Sequence, residues 1–260
     1  MHKNIYDSMK AGLVAAAMLM APIAAWSAQT NCPESYAAGF APEIWHEKLA
    51  KDTVELCSSQ YGVVYSNLTR TPLWSAENLS PGRFSQPREF PRYDVFYEDK
   101  RIPFIWRSTL NDYRGSGLDR GHLTPSADAS NPHSDYETFA LTNIVPQSAD
   151  GNRNAWAAIE KAVRSLARHR QVFVITGPLF IQEEGKPIRW LNRRVAVPSH
   201  LYKIVYDPAG NAGGAYLLEN QDSKRPREVS IQEIEQLART RFFPDTAAIR
   251  PMKLPRPRWD

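Results

Sequence analysis

Hydrophobic positions along the chain fall into short runs with two different periods. Trp156, Ile159, Val163 and Leu166 recur at spacings of 3, 4 and 3 and predict a helix over 152–168 with one apolar face. An amphipathic pattern from Glu43 to Leu56 predicts another helix. Runs rich in β-branched and aromatic residues predict strands at 61–65, 171–176, 201–206 and 215–218, with a further extended piece at 195–198. Gly177-Pro178 should stop the strand at 176. Ser230 and Glu233 form a capping box for a helix over about 231–240. Prolines 72, 81, 87, 91 and 103 make 70–104 read as loops with short extended pieces. A turn at Gly115-Ser-Gly117 precedes an extended stretch over 118–125, and the tail from 250 to 260 reads as irregular. No internal repeat is visible. Strands and helices interleave without a βαβ period, so the fold class is α+β.

Residues 1–28 have a different pattern. Lys3 and Lys10 precede a small-apolar run from Ala11 to Ala25, and a polar stretch follows. A basic start, an apolar centre and a small-residue end make a signal peptide, cleaved near 27–28. The run is short for a bilayer span and contains Pro22. No later segment is long and apolar enough to span a membrane, so the expectation is a soluble, exported protein, periplasmic or extracellular. Residues 29–260 then form a single domain.

Export changes the meaning of Cys32 and Cys57, the only two cysteines. In an oxidising compartment they should pair, and a loop of this size contributes roughly 3 kcal/mol in the chain-entropy model. The alternative is two separate buried thiols. Two cysteines exclude both a disulfide-scaffold mini-protein and a four-thiolate zinc site. At 42% hydrophobic and 23% charged, the composition excludes wholesale disorder. The net charge is +4, or +3 once Lys3, Lys10 and Asp7 leave with the leader. That is compatible with a polyanionic partner and is weak evidence for one.

Two clusters could carry chemistry. The first is Asp119-Arg120-Gly121-His122. An imidazole accepts a proton near neutrality, an arginine fork fits phosphate, and a glycine beside them allows a ligand close to the backbone. Taken alone, a loop histidine beside an arginine is more often structural or solvated. The second cluster is Thr142-Asn143 with Pro146-Gln147, followed by Asn152, Trp156 and Glu160. On a regular helix these last three stack at i, i+4 and i+8, with Asn152 at the helix start. An amide oxygen and a carboxylate are hard ligands that suit Mg2+. Taken alone, this segment favours a plainer reading: Asn152 as an N-cap, and Glu160 as a surface partner of Lys161 or Arg164.

Together the two clusters are far more specific. Asp-Arg-Gly-His, Thr-Asn-x-x-Pro-Gln and Asn-x-x-x-Trp-x-x-x-Glu, in that order, resemble the DNA/RNA non-specific endonucleases. These are the ββα-metal, or His-Me finger, nucleases of the endonuclease G type. Tyr61-Gly-Val-Val-Tyr65, Asp112-Tyr-Arg-Gly-Ser-Gly117, Thr176-Gly-Pro-Leu179, His200 and Phe242-Phe-Pro244 add to the match, which spans about 58–246.

The resemblance implies a central, mostly antiparallel sheet flanked by helices. It implies an Mg2+-dependent hydrolase of DNA and RNA that leaves 5′-phosphate ends, with one Mg2+ per site and Mn2+ as the alternative ion. It implies His122 as general base, Asn152 as the direct metal ligand and Glu160 as a carboxylate acting through metal-bound water. Asn143 would support the histidine, and Arg120 would lie near the phosphate. An upstream arginine should assist, Arg92 foremost and Arg88 second; Asp119 is expected to orient. Members can be homodimers, but no interface is legible in the sequence. The competing classes are a nucleic-acid binder that has lost catalysis and a metal enzyme with another substrate.

Overall fold

The computed structural model describes residues 30–182 and 187–258; the expected leader lies outside them. Seven antiparallel strands form the central sheet. They are β1 (Thr53–Cys57), β2 (Tyr61–Ser66), β3 (Thr71–Leu79), β6 (Val172–Leu179), β7 (His200–Asp207), β8 (Ala212–Glu219) and β9 (Arg227–Val229). Their order is β9-β8-β7-β6-β3-β2-β1, and Arg250–Pro251 pairs in parallel with β8 as an eighth piece. Outside this sheet, β4 (Asp119–His122) and β5 (Ile144–Gln147) pair antiparallel with each other.

Period-two alternation sends side chains to two cores. One face of the sheet carries Trp74, Ile175, Tyr202, Ile204 and Leu217 toward the helix Ile231–Ala238 and Phe242. The other carries Leu79, Val172, Val174, Leu201, Val205 and Leu218 toward a long helix over 149–167. That helix contributes Trp156, Ile159 and Val163, the apolar stripe read from the sequence. The 231–238 helix forms as expected, and the Ser230 side chain accepts from the Glu233 amide.

The helix expected over 43–56 does not form. Glu43–Ile44 pairs with Thr240–Arg241, Glu47–Ala50 makes one helical turn, and Asp52 enters the left-handed region at φ 56°. β1 then pairs with β2, a better use of β-branched Thr53 and Val54 than a helix. The loop expected at 70–104 hides β3, a central strand. Its Pro72 sits at a bulge, where the register with β2 shifts between Val64 and Tyr65, so the missing amide costs no regular ladder bond. Likewise β6 continues through Gly177-Pro178, because past Thr176 it pairs with β7 alone and Pro178 lies on a locally free edge.

Cys32 and Cys57 form a disulfide that ties the amino-terminal segment to β1. Cys32 sits over Gly62 of β2, where an added Cβ would lie 3.0 Å from the cysteine Cβ. Among the described residues no helix is long and apolar enough to cross a membrane.

Candidate active site

The β4–β5 pair and the 149–167 helix form a ββα unit around one cavity of about 660 Å³. His122 ends β4 and Arg120 lies two residues earlier on the same strand, so both lean to one side. Asn152, Arg153, Ala157 and Glu160 of the helix line the opposite wall, and Arg92, Asp94 and Phe96 close the rim.

Helix 149–167 is irregular where it matters. It begins at Ala149, and Ser148 is its N-cap, accepting from the Gly151 amide at 3.0 Å. Asn152 is therefore neither the cap nor the helix start, which corrects the sequence expectation. Residues Asn152–Trp156 form a π turn in which the Ala157 amide donates to the Asn152 carbonyl, five residues back. The wider turn breaks the expected i, i+4, i+8 stack. Trp156 turns into the core at 1% exposure, while Asn152 and Glu160 stay on the cavity.

His122 is only 9% exposed. Phe139 packs edge-on to its ring at a centroid distance of 4.9 Å, and Phe96 lies tilted at 5.2 Å. Burial in this apolar clamp, together with the charges of Arg92 and Arg120, holds the imidazole pKa down at about 3. The ring is neutral at physiological pH and able to accept a proton; its Nε2 has no hydrogen-bond partner. The same two phenyl rings carry the arginines. The Arg120 guanidinium lies 4.3 Å from the Phe96 centroid and that of Arg92 lies 5.1 Å from Phe139.

Asn152 donates its side-chain amide to Asp119 Oδ2 at 3.0 Å, and Arg153 holds both oxygens of that carboxylate. Burial works against the charge on Asp119, yet the Arg153 and Asn152 hydrogen bonds keep its carboxyl below the usual range. An ionised carboxylate only accepts, so it fixes the amide's orientation and leaves the Asn152 carbonyl oxygen for a ligand. Burial pushes Glu160 up to about 7, against the attraction of Lys203 and Arg164. The expected Glu160–Arg164 surface pair is absent: Arg164 is engaged by Asp128 instead. Two hard oxygen donors, Asn152 and Glu160, thus share one cavity wall, a donor set that suits a small divalent cation retaining several waters.

Asn143 does not line the cavity. It is fully buried, accepts from the Thr124 amide at 3.0 Å, and donates to the carbonyls of Thr124 and Thr138 at 2.9 Å each. It clamps the chain two residues past His122. Arg88 is also absent from the cavity wall; it pairs with Asp135 at 2.9 Å and binds the Ser126 carbonyl. Of the two upstream arginines, only Arg92 reaches the site. Gly121 serves a different purpose from the one read in the sequence. Its missing side chain makes room for Gln147, whose Cβ would lie 2.8 Å from an added Cβ, so no ligand needs that space.

The family model for DNA/RNA non-specific endonucleases matches residues 46–249. The chain belongs to this family. Nuclease C1 of Cunninghamella echinulata var. echinulata is 37% identical to it over 213 residues, 75% of this chain and 83% of that protein. Mitochondrial endonuclease G of Homo sapiens is 37% identical over 208 residues, 72% of this chain and 69% of that protein. The solved EndoG/EndoGI complex matches with a TM-score of 0.67 at 30% identity, covering 74% of this chain and 86% of that one. The protein is thus a nuclease, a phosphodiester hydrolase with an α+β fold of this type.

Sequence reading missed two parts of this nuclease's site, Phe96 and Phe139. Their only sequence signal was an aromatic residue beside a polar stretch, which many core positions share. What gives them meaning is contact: each touches His122 and one arginine.

Proposed function

We propose that this nuclease is an exported, Mg2+-dependent, sugar-non-specific endonuclease that cleaves DNA and RNA to 5′-phosphate ends. The supporting observation is one cavity lined by a neutral His122 imidazole on one side and, on the other, by an Asn152 side-chain oxygen freed by Asp119 and the Glu160 carboxylate. His122 is the general base. It takes the proton of the attacking water, a service typically worth about 10²–10⁴-fold. Asn152 would hold the metal directly, and Glu160 would reach it through water. When bound, Mg2+ supplies Lewis-acid neutralisation of charge on the phosphate oxygens.

Arg120 and Arg92 set positive charge beside the scissile phosphate, where negative charge grows as the bond breaks. Phe96 and Phe139 keep both guanidiniums aimed and hold the imidazole ring between them. Asn143 keeps His122 in line through the Thr124 backbone. Water attacks opposite the 3′ oxygen, so the phosphate stays on the 5′ side. No 2′-hydroxyl takes part, and both sugars are accepted.

The export reading takes residues 1–28 as the leader and 29–260 as one nuclease domain. The leader pattern supports it, as does the Cys32–Cys57 disulfide, at home in an oxidising compartment.

Clean protein incubated with plasmid DNA and with structured RNA, in Mg2+ and in EDTA, tests the activity. Both substrates should be cut in Mg2+ only, with ends that ligate without prior phosphorylation. Tight, salt-dependent binding without cutting would instead mark a binder that has lost catalysis.

A further inference from the structure

Lys203 lies mid-strand in β7 at 1% exposure. Alternation puts it with Leu201 and Val205 on the sheet face beneath the active-site helix. It is opposite Thr176 of β6, which is opposite Ser75 of β3. Ser75, Thr176 and Lys203 make a polar strip across a sheet face that also carries buried Glu77.

A buried ammonium is costly unless it is compensated. Lys203 Nζ donates to Thr176 Oγ1 at 2.6 Å and reaches the Leu123 carbonyl at 3.4 Å. It sits 5.4 Å from the ring centroid of Trp156. The carboxylates of Glu160, Glu77 and Asp128 all attract it. Lys203 in turn attracts Glu160 more strongly than Arg164 or Arg92 does. Arg164 and Arg83 complete the cluster through Asp128 and Glu77, so three carboxylates face three cations.

The chemistry above uses none of these contacts, and Lys203 is absent from the cavity wall. Yet its contacts with Leu123 and Trp156, and its attraction for Glu160, each reach a different part of the site. Leu123 follows His122 directly. Trp156 closes the π turn that opens with Asn152. Glu160 is the cavity carboxylate.

We propose that Lys203 is a positioning residue of the active site, tying the backbone after His122 and the π turn of Asn152 to one buried ammonium whose charge also attracts Glu160. The inference rests on the roles given above to those three residues. Its chemical content is relative placement: the base comes from a strand, the metal ligands from a helix, and the lysine bridges the two from the sheet below. A methionine fills similar volume but releases the Leu123 carbonyl and leaves Glu160 without its strongest attraction.

The test compares K203M with wild type by circular dichroism, thermal melting and steady-state cleavage of DNA in saturating Mg2+. K203M should melt lower than wild type, since removing one partner of a buried charge cluster leaves the others uncompensated, so its kcat is read well below its melting transition. Its kcat should fall about 10–100-fold, the loss typical of residues that orient a metal site from behind, with KM for DNA within about twofold. A kcat within twofold of wild type overturns the inference, and so does a loss confined to KM. If K203M does not fold, T176V decides. It keeps the charge and removes the 2.6 Å acceptor, and it should lower kcat several-fold at unchanged KM; an unchanged kcat overturns the inference. A wild type that does not cut refutes the functional reading itself, an outcome separate from all of these.

Discussion

The side-chain amide of Asn152 is held by the carboxylate of Asp119, 3.0 Å away across the gap between helix and strand. An amide can flip; a carboxylate that only accepts prevents it from doing so. The first residue of the Asp-Arg-Gly-His motif therefore holds the Asn152 nitrogen and leaves its side-chain oxygen unengaged by that carboxylate.

N152A should raise the Mg2+ concentration needed for half-maximal cleavage by about 10–100-fold or more, and D119N should shift it in the same direction by less. Cleavage titrated with Mg2+ and Mn2+ binding followed by electron paramagnetic resonance would measure this. An unchanged titration in N152A would refute its ligand role.

H122A should lose about 10²–10⁴-fold in kcat while still binding DNA in EDTA with normal salt dependence. The ring is clamped by Phe96 and Phe139 rather than holding them through hydrogen bonds, so the melting temperature should change modestly. Parallel loss of fold, binding and activity would make the histidine structural.

Glu160 and His122 give the metal-free protein opposite pH dependences. The Glu160 carboxyl is raised to about 7, so its contribution is full below its ordinary value near 4.5 and is lost as pH rises through 7. The His122 imidazole is lowered to about 3, so from 6.5 downward the unfolded chain binds a proton that the folded chain refuses, and stability falls on acidification. In EDTA at pH 8, E160Q should be more stable than wild type by about 1–3 kcal/mol. Denaturant melts at pH 5 and pH 8 would show it; equal shifts at both would mean that the carboxylate is not desolvated.

Replacing both cysteines, C32S with C57S, should cost about 2–4 kcal/mol of stability and leave kcat at 25 °C unchanged. The disulfide ties the amino-terminal segment to β1, at the edge of the sheet away from the cavity. A large fall in kcat of the folded double variant would show that the strap reaches the site.

Much of the site was legible because its chemistry is local in sequence. His122 and Arg120 sit on one short strand, and Asn152 and Glu160 on one helix, so motif spacing carries their geometry. The sheet was less legible. Pro72 and Pro178 read as breakers, but a bulge and a free edge each remove the need for a proline amide, facts that depend on partner strands far away in sequence. The helix expected at 43–56 lost to long-range pairing of Thr53 and Val54 with β2. Lys203 was invisible for the same reason. A lysine inside Leu201–Tyr206 reads as an outward-facing residue until a helix covers that face.

The π turn has one more consequence. Ahead of it the helix is phased by Ser148 and its hold on Asn220 and Asp222; behind it, by the apolar stripe of Ile159 and Val163 against the sheet. Those two demands are out of step on an ordinary helix, and the extra residue absorbs the difference. Winding the same residues as an ordinary helix would rotate Asn152 by roughly 100° relative to Glu160, whereas removing one residue from 153–155 would keep the two in phase. The extra residue thus lets the helix meet both anchors while Asn152 and Glu160 face one cavity.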